Sequence, residues 1–255
     1  PRPDLITPQA ETAIAKGVTY LVRSQAANGS WGAGQQNGRT YLVTMTSLAG
    51  LALMSAGNTP TTGPQADNVA RAVEFVLSCS TDAGLISSTS ESGHSMYGHG
   101  FAMLFLAHAY GMEADPLRQK RLAQVLERAV RLTAASQSRD GGWFYTPESQ
   151  NDEGSVTVTQ IQGLRACRDA GVPVSPRTIQ RACEYIFKCA NSDGGISYAL
   201  RSRGNSLPAI TAAAVSTMYN GGVFEHPVAH GALAFCKKRI AASGGDATKA
   251  FQGHV

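Results

Sequence analysis

Ala15 to Gly32 reads AKGVTYLVRSQAANGSWG, and Glu127 to Phe144 reads ERAVRLTAASQSRDGGWF. Each stretch runs from a charged residue through an apolar segment to Gln, then to Gly-x-Trp or Gly-Gly-Trp. Weaker copies follow the same order at Arg71 to Ile86, RAVEFVLSCSTDAGLI, and at Arg181 to Ser197, RACEYIFKCANSDGGIS. A recurrence at this spacing marks a repeat architecture, in which one supersecondary unit is stacked several times. Taking Trp31, Leu85, Trp143 and Ile196 as equivalent gives steps of 54, 58 and 53 residues. That is too long for a single helix and suits a helical hairpin. A second apolar segment after each turn ends in glycine, at Gly57, Gly111, Gly171 and Gly221, which supports two helices per repeat.

The two members of each pair differ in pattern. In the first helix of the third repeat, Leu122, Val125, Leu126, Ala129, Val130 and Leu132 recur at intervals of mainly three and four residues, with Arg121, Glu127, Arg128 and Arg131 on the other faces. This is the stripe of a helix with one buried side. The second helices, TYLVTMTSLAGLALMSAG, SMYGHGFAMLFLAHAYG, SVTVTQIQGLRACRDAG and SLPAITAAAVSTMYNGG, carry small and apolar residues almost all round and are expected to form an inner layer. Ser95, Ser155 and Ser206 stand where an N-cap belongs, Pro208 sits early enough to need no amide partner, and the terminal glycines fit a left-handed C-terminal stop. Asn28-Gly29-Ser30 and Asp140-Gly141-Gly142 read as tight turns between outer and inner helices.

The pattern resembles the QW motif of the prenyltransferase and squalene oxidase repeat, shared by squalene-hopene cyclases, class II terpene cyclases and protein prenyltransferase β-subunits. Lys16, Gly17, Tyr20, Leu21, Gln25, Gly29 and Trp31 match it, as do Arg128, Ala129, Gln137, Asp140, Gly141 and Trp143, with Leu132 in place of the aromatic residue. The second and fourth copies keep Arg71, Ala72 and Phe75, and Arg181, Ala182 and Tyr185, but lack Gln and Trp. The resemblance implies an all-α fold, an α/α toroid whose inner helices ring a cavity. Its Gln and Trp residues are then structural, tying one repeat to the next.

One domain of about four and a half repeats is expected, at about 8–60, 64–114, 117–174 and 175–225, with a partial unit over 226–255. Family toroids have five or six hairpins, so the expected toroid is incomplete or open, or closed by a second copy. An open face favours self-association through exposed apolar surface.

Composition bounds the rest. The chain has 255 residues, 43% of them hydrophobic, enough for one substantial core. Its net charge of +4 comes from scattered residues, and Lys237-Lys238-Arg239 is read as a solvated helix face, so no nucleic-acid partner is expected. The longest apolar run, Phe101 to Met112, is interrupted by His108 and falls short of the roughly 18 residues of a membrane span. No signal peptide is legible at the start, which favours a cytoplasmic location, while the absence of an initiator Met suggests a processed end. Cys79, Cys167, Cys183, Cys189 and Cys236 form no CxxC pair and read as small buried hydrophobes.

Function is sought on the inner helices. The DxDD acid motif of the cyclases is absent, and the segment Gly154-Ser155-Val156-Thr157 has no cysteine to match a prenyltransferase zinc site. No metal or cofactor is expected. Asp152 and Glu153, before the third inner helix, are candidate acids if desolvation raises their pKa. Against this, adjacent acids beside a helix N-terminus are also simply stabilised there, and the loop around them reads as solvated. His99 is a third catalytic candidate. With His94 it brackets the start of the second inner helix, but their spacing is not the i, i+4 of a helical zinc pair. Tyr41 and Tyr97 are placed to stack on a ligand beside His94. Thr157, Thr159, Gln160 and Gln162, echoed by Thr44 and Thr46, form a polar seam expected either to bond neighbouring backbone or to line a partly polar pocket. Three readings follow: an enzyme acting on an isoprenoid, a noncatalytic container for an apolar or peptide ligand, and a scaffold docking a partner or a second copy.

Overall fold

The computed structural model describes residues 6–32, 40–246 and 249–250. It is all-α, with no strand among the described residues beyond isolated bridges. Outer helices α1 (Pro8–Ser24), α3 (Ala66–Ser78), α5 (Pro116–Ala135), α7 (Pro176–Lys188) and α9 (Pro227–Ala242) alternate with inner helices α2 (Leu42–Ser55), α4 (Ser95–Met112), α6 (Gly154–Asp169) and α8 (Pro208–Asn220). The inner helices pack in chain order, α2 on α4, α4 on α6, α6 on α8. Outer helices α3, α5 and α7 each lie across two inner neighbours, whereas α1 rests on α2 and α9 on α8.

The core follows from the two sequence patterns. Helix α5 buries Leu122, Val125, Leu126, Ala129 and Val130, and α7 buries Ile179, Ala182, Cys183 and Ile186. These stripes meet inner helices buried on most sides. Helices α4 and α6 approach closely: a β-carbon on Gly163 would lie 2.7 Å from the Gly100 carbonyl oxygen. Only glycine at that crossing permits the contact.

The repeated turns supply the joints. Gly29, Gly84, Gly141 and Gly194 all have positive φ, from 86° to 107°. A β-carbon there would stand 2.3, 2.4, 2.3 and 2.7 Å from the carbonyl oxygens of Arg71, Arg128, Arg181 and Gly231, each on the next outer helix. Gln25 Nε2 donates to Gly29 O at 2.9 Å and Asn68 O at 3.0 Å, while its Oε1 accepts from Asn68 Nδ2 at 2.7 Å and Arg71 Nη2 at 2.6 Å. Gln137 repeats this, donating to Gly141 O and Thr178 O and accepting from Arg181 Nη1. Trp31 and Trp143 donate from Nε1 to Leu21 O and Thr133 O, both at 2.8 Å. The amide groups of Trp31, Trp143 and Ile196 donate to Thr46, Thr157 and Thr211 Oγ1 on the following inner helix. In the second repeat the matching amide belongs to Ile86, bonded to His99 Nδ1 at 3.2 Å.

That last bond corrects the repeat register. Ile86, not Leu85, is equivalent to Trp31, and each such residue stands two places past its turn glycine. The caps need correction as well. Residues His94, Glu153 and Leu207 precede the helices, placing Ser95 and Ser155 inside them and Ser206 outside. Gly111 lies within α4, and Gly222 rather than Gly221 takes the left-handed conformation after α8.

Substituting Gly141→Ala should destabilise the chain by about 2–4 kcal/mol in chemical denaturation, through the left-handed backbone and the collision with Arg181 O. Gly17→Ala, in a helix with nothing near the new methyl group, should instead stabilise by about 0.5–1 kcal/mol.

Candidate functional site

The inner-helix starts are closed by the neighbouring repeat. Val43 N and Thr44 N, opening α2, donate to Glu91 Oε1 at 2.8 and 3.3 Å; Glu91 stands in the 3-10 turn Thr89–His94 that leads into α4. Met96 N donates to Tyr145 O at 3.0 Å, and Gly154 N to Tyr198 O at 2.7 Å. Each loop therefore folds over the previous inner helix, and Tyr145 and Tyr198, two residues past Trp143 and Ile196, occupy the same position in successive repeats.

This overlap gathers an acid and several hydroxyls at the start of α6. Glu153 is fully buried and caps its own helix, Oε1 accepting from Val156 N at 2.6 Å and Oε2 from Ser155 N at 2.7 Å. Ser155 Oγ lies 2.9 and 2.7 Å from the two carboxyl oxygens and is hydrogen-bonded to Tyr97 Oη. Tyr198 Oη is 2.5 Å from Tyr145 Oη, and the Tyr198 phenol also bears on Glu153 and Ser155. Burial raises the Glu153 pKa above the usual carboxylate value, opposed by its bonds to Ser155 and Val156. Burial likewise raises Tyr97 and Tyr198, with the negative charge of Glu153 adding to the effect.

Around this centre the rings form a rim. His94 lies 4.4 Å from Tyr145 and stacks on Tyr97 at 6.4 Å, Tyr97 stacks on Tyr145 at 5.9 Å, and Tyr41 meets His94 edge-on at 6.5 Å. The Arg201 guanidinium stands over Phe144 at 5.3 Å. From Tyr97 a half-exposed strip continues down α4 through Phe101 and Leu104 to His108, at helical spacing. Its far end opens on a depression of about 360 Å³ lined by Leu104, His108, Gln162, Arg165, Asp169 and Asn220.

The expected residues thus separate. Tyr41, His94, Tyr97 and Glu153 share the rim and its buried acid. Asp152 turns away, accepting from Ser138 Oγ at 2.9 Å, so the two adjacent acids serve different neighbours, and Glu153 is buried where the sequence suggested a solvated loop. Thr157 and Gln160 are buried off the strip. Thr157 Oγ1 donates to Glu153 O and accepts from Trp143 N, and Gln160 Nε2 donates to Met96 O at 2.7 Å. The helical period turns these residues into the packing while Ser155 and Gln162, seven apart, stay half-exposed. Among the described residues no group of three or more His, Cys, Asp or Glu side chains could hold a metal. Sequence reasoning missed Ser155, Tyr145 and Tyr198 as site members. The shared register of the two tyrosines was the available signal.

His99 is wholly buried, and both ring nitrogens are engaged: Nδ1 accepts from Ile86 N, which leaves Nε2 to carry the proton toward Thr133 Oγ1 at 2.9 Å. It stands where the other repeats have Thr46, Thr157 and Thr211.

No known family's sequence profile matches the chain. Its fold is similar to a crystal structure of a protein from Actinoplanes, with a TM-score of 0.58 at 17% identity over 92% of this chain and 67% of that one. A polysaccharide lyase aligns with a TM-score of 0.49 at 18% identity, over 82% of this chain and 65% of that one. At these identities the first likeness speaks to the fold alone.

Burial lowers the His99 pKa from 6.5 to about 4. A group held neutral in this way contributes stability that is complete above the unfolded value and lost as pH falls from about 6.5 to about 4, here amounting to about 3 kcal/mol. Thermal melts of His99→Thr, which installs the residue of the other repeats, should show that acid-side loss abolished relative to the parent. A parallel slope in the two proteins would contradict it. Glu91 and Glu153, raised by burial, act in the opposite sense, their contributions falling as pH rises.

Proposed function

We propose that this protein binds an isoprenoid or similar apolar chain on the uncovered face of its inner helices and acts on it by proton transfer at the Glu153 cluster. The row of inner helices is read as an arc of an α/α toroid, so that this face is the wall of its cavity. One observation carries the reading: a buried carboxyl of raised pKa joins a hydroxyl network whose partly exposed member, Tyr97, begins an apolar strip through Phe101 and Leu104. Burial that raises the pKa of a carboxyl shifts it toward the range that acid chemistry on a weak base uses. The strip offers an apolar body its surface, and the rim offers stacking and hydroxyl contacts to a functionalised end. The QW-like motif resembles a repeat of isoprenoid-handling proteins, although its own residues serve the joints.

A noncatalytic repeat scaffold is the second reading. Glu153 as an N-cap, with amide and hydroxyl donors on both oxygens, has a sufficient structural role in closing α6. A groove of about 340 Å³ between α1 and α2, lined by Tyr20, Leu21, Trp31, Met45, Leu48 and Ala52, adds an apolar edge suited to association, including self-association. No described helix is long and apolar enough to cross a membrane.

Incubation with farnesyl, geranylgeranyl and squalene-type compounds, followed by solvent extraction and mass spectrometry, separates these readings. A new product supports the enzyme, unchanged ligand retained in stoichiometric amount supports a container, and neither leaves the scaffold. If a product forms, Glu153→Gln should lower its rate by about 100-fold or more while retaining the ligand.

A further inference from the structure

Glu153 has no exposed surface, so a ligand on the uncovered face cannot touch its carboxyl. Its link to a partly exposed group runs through Ser155, whose Oγ lies within 2.9 Å of both carboxyl oxygens and bonds Tyr97 Oη. Ser155, Tyr97 and Tyr198 are all half-buried, so the hydroxyl network spans the distance from core to surface.

We propose that the proton reaches the ligand from the Tyr97 phenol, and that Ser155 relays it from Glu153. This rests on the acid reading of the cluster. In the donating direction a basic atom of the ligand takes the Tyr97 proton, Tyr97 Oη takes the Ser155 proton, and Ser155 Oγ takes the Glu153 proton. Three O–H bonds break and three bonds to hydrogen form. The net change is one proton moved from Glu153 to the ligand, and the carboxylate left behind is held by the Ser155 and Val156 amides. The reverse sequence lets Glu153 act as the base.

The surroundings suit a single exit. The titratable groups bearing on Glu153 and Ser155 are Tyr97 from α4 and Tyr198 from the loop before α8, with Tyr145 from the loop before α6 bonded to Tyr198. Asp152, beside it in sequence, points to Ser138, and Arg201 reaches only the Asp152 carbonyl oxygen and the Phe144 ring. Tyr97 is therefore the catalytic contact and Ser155 a positioning and relay residue.

The test uses the full chain without ligand, so its outcome is independent of which ligand binds. After a pH jump upward from about 5, just above the ordinary glutamic acid pKa of about 4.3, time-resolved infrared spectroscopy follows the protonated-carboxyl band that Glu153→Gln removes. Ser155→Ala and Tyr97→Phe should each slow the loss of that band by at least about tenfold, the scale of a positioned proton-transfer group. A purely structural role predicts the opposite sign, because a loosened helix start admits water and speeds the exchange. An unchanged or faster rate overturns the relay, whereas no Glu153 band at the starting pH overturns the acid reading on which it rests. Should Ser155→Ala fail to fold, Tyr97→Phe, which keeps the ring, decides the matter alone.

Discussion

The fold depends on one contact made four times, a left-handed glycine lying against a carbonyl of the next outer helix. Gly29, Gly84, Gly141 and Gly194 have no side chain to hold the turn away from Arg71, Arg128, Arg181 and Gly231. The chain can therefore reverse from outer to inner helix while touching the following repeat. Gln25 and Gln137 reinforce two of these joints by bonding the turn and the next helix at once. The second and fourth joints persist without them, which explains how a repeat can lose Gln and Trp and keep its place in the row. Backbone geometry is the constant part, and the side chains are additions to it.

The same joint determines where chemistry can sit. Because each turn docks forward, the loop after it folds back across the preceding inner helix, and its groups supply partners for exposed amides there. Glu91 does so with a carboxylate, Tyr145 and Tyr198 with carbonyl oxygens. Two tyrosine side chains are thereby delivered to one place by repeat symmetry. Tyr97, from a third repeat, meets them at Ser155. Convergence at the α6 start is a product of stacking, and no single repeat contains it.

Burial then divides residues of like chemistry. His94 joins a ring cluster at the rim, while His99, one and a half turns on, is enclosed and tied at both nitrogens. Asp152 and Glu153 part in the same way over a single peptide bond. In each pair the helical or extended direction of the backbone sends one side chain toward the layer interface and its neighbour elsewhere. The enclosed members acquire shifted pKa values because ions lose hydration there.

Resemblance to the QW motif implied the structural duty of Gln25, Trp31, Gln137 and Trp143, while residue order alone determined the all-α class, the alternation of amphipathic and apolar helices and the hairpin period. These follow from short-range periodicity and from turn glycines, which leave a direct imprint on residue order. It misplaced the second repeat by one residue, because Leu85 and Ile86 are equally apolar; the count of two places from Gly84, the burial of Ile86 and its amide bond to His99 distinguish them. It also could not tell that Thr157 and Gln160 face the packing, or that Ser155, Tyr97, Tyr145 and Tyr198 meet around Glu153. Those facts depend on which face of each helix meets a neighbour more than forty residues away, and that choice is made when the layers pack.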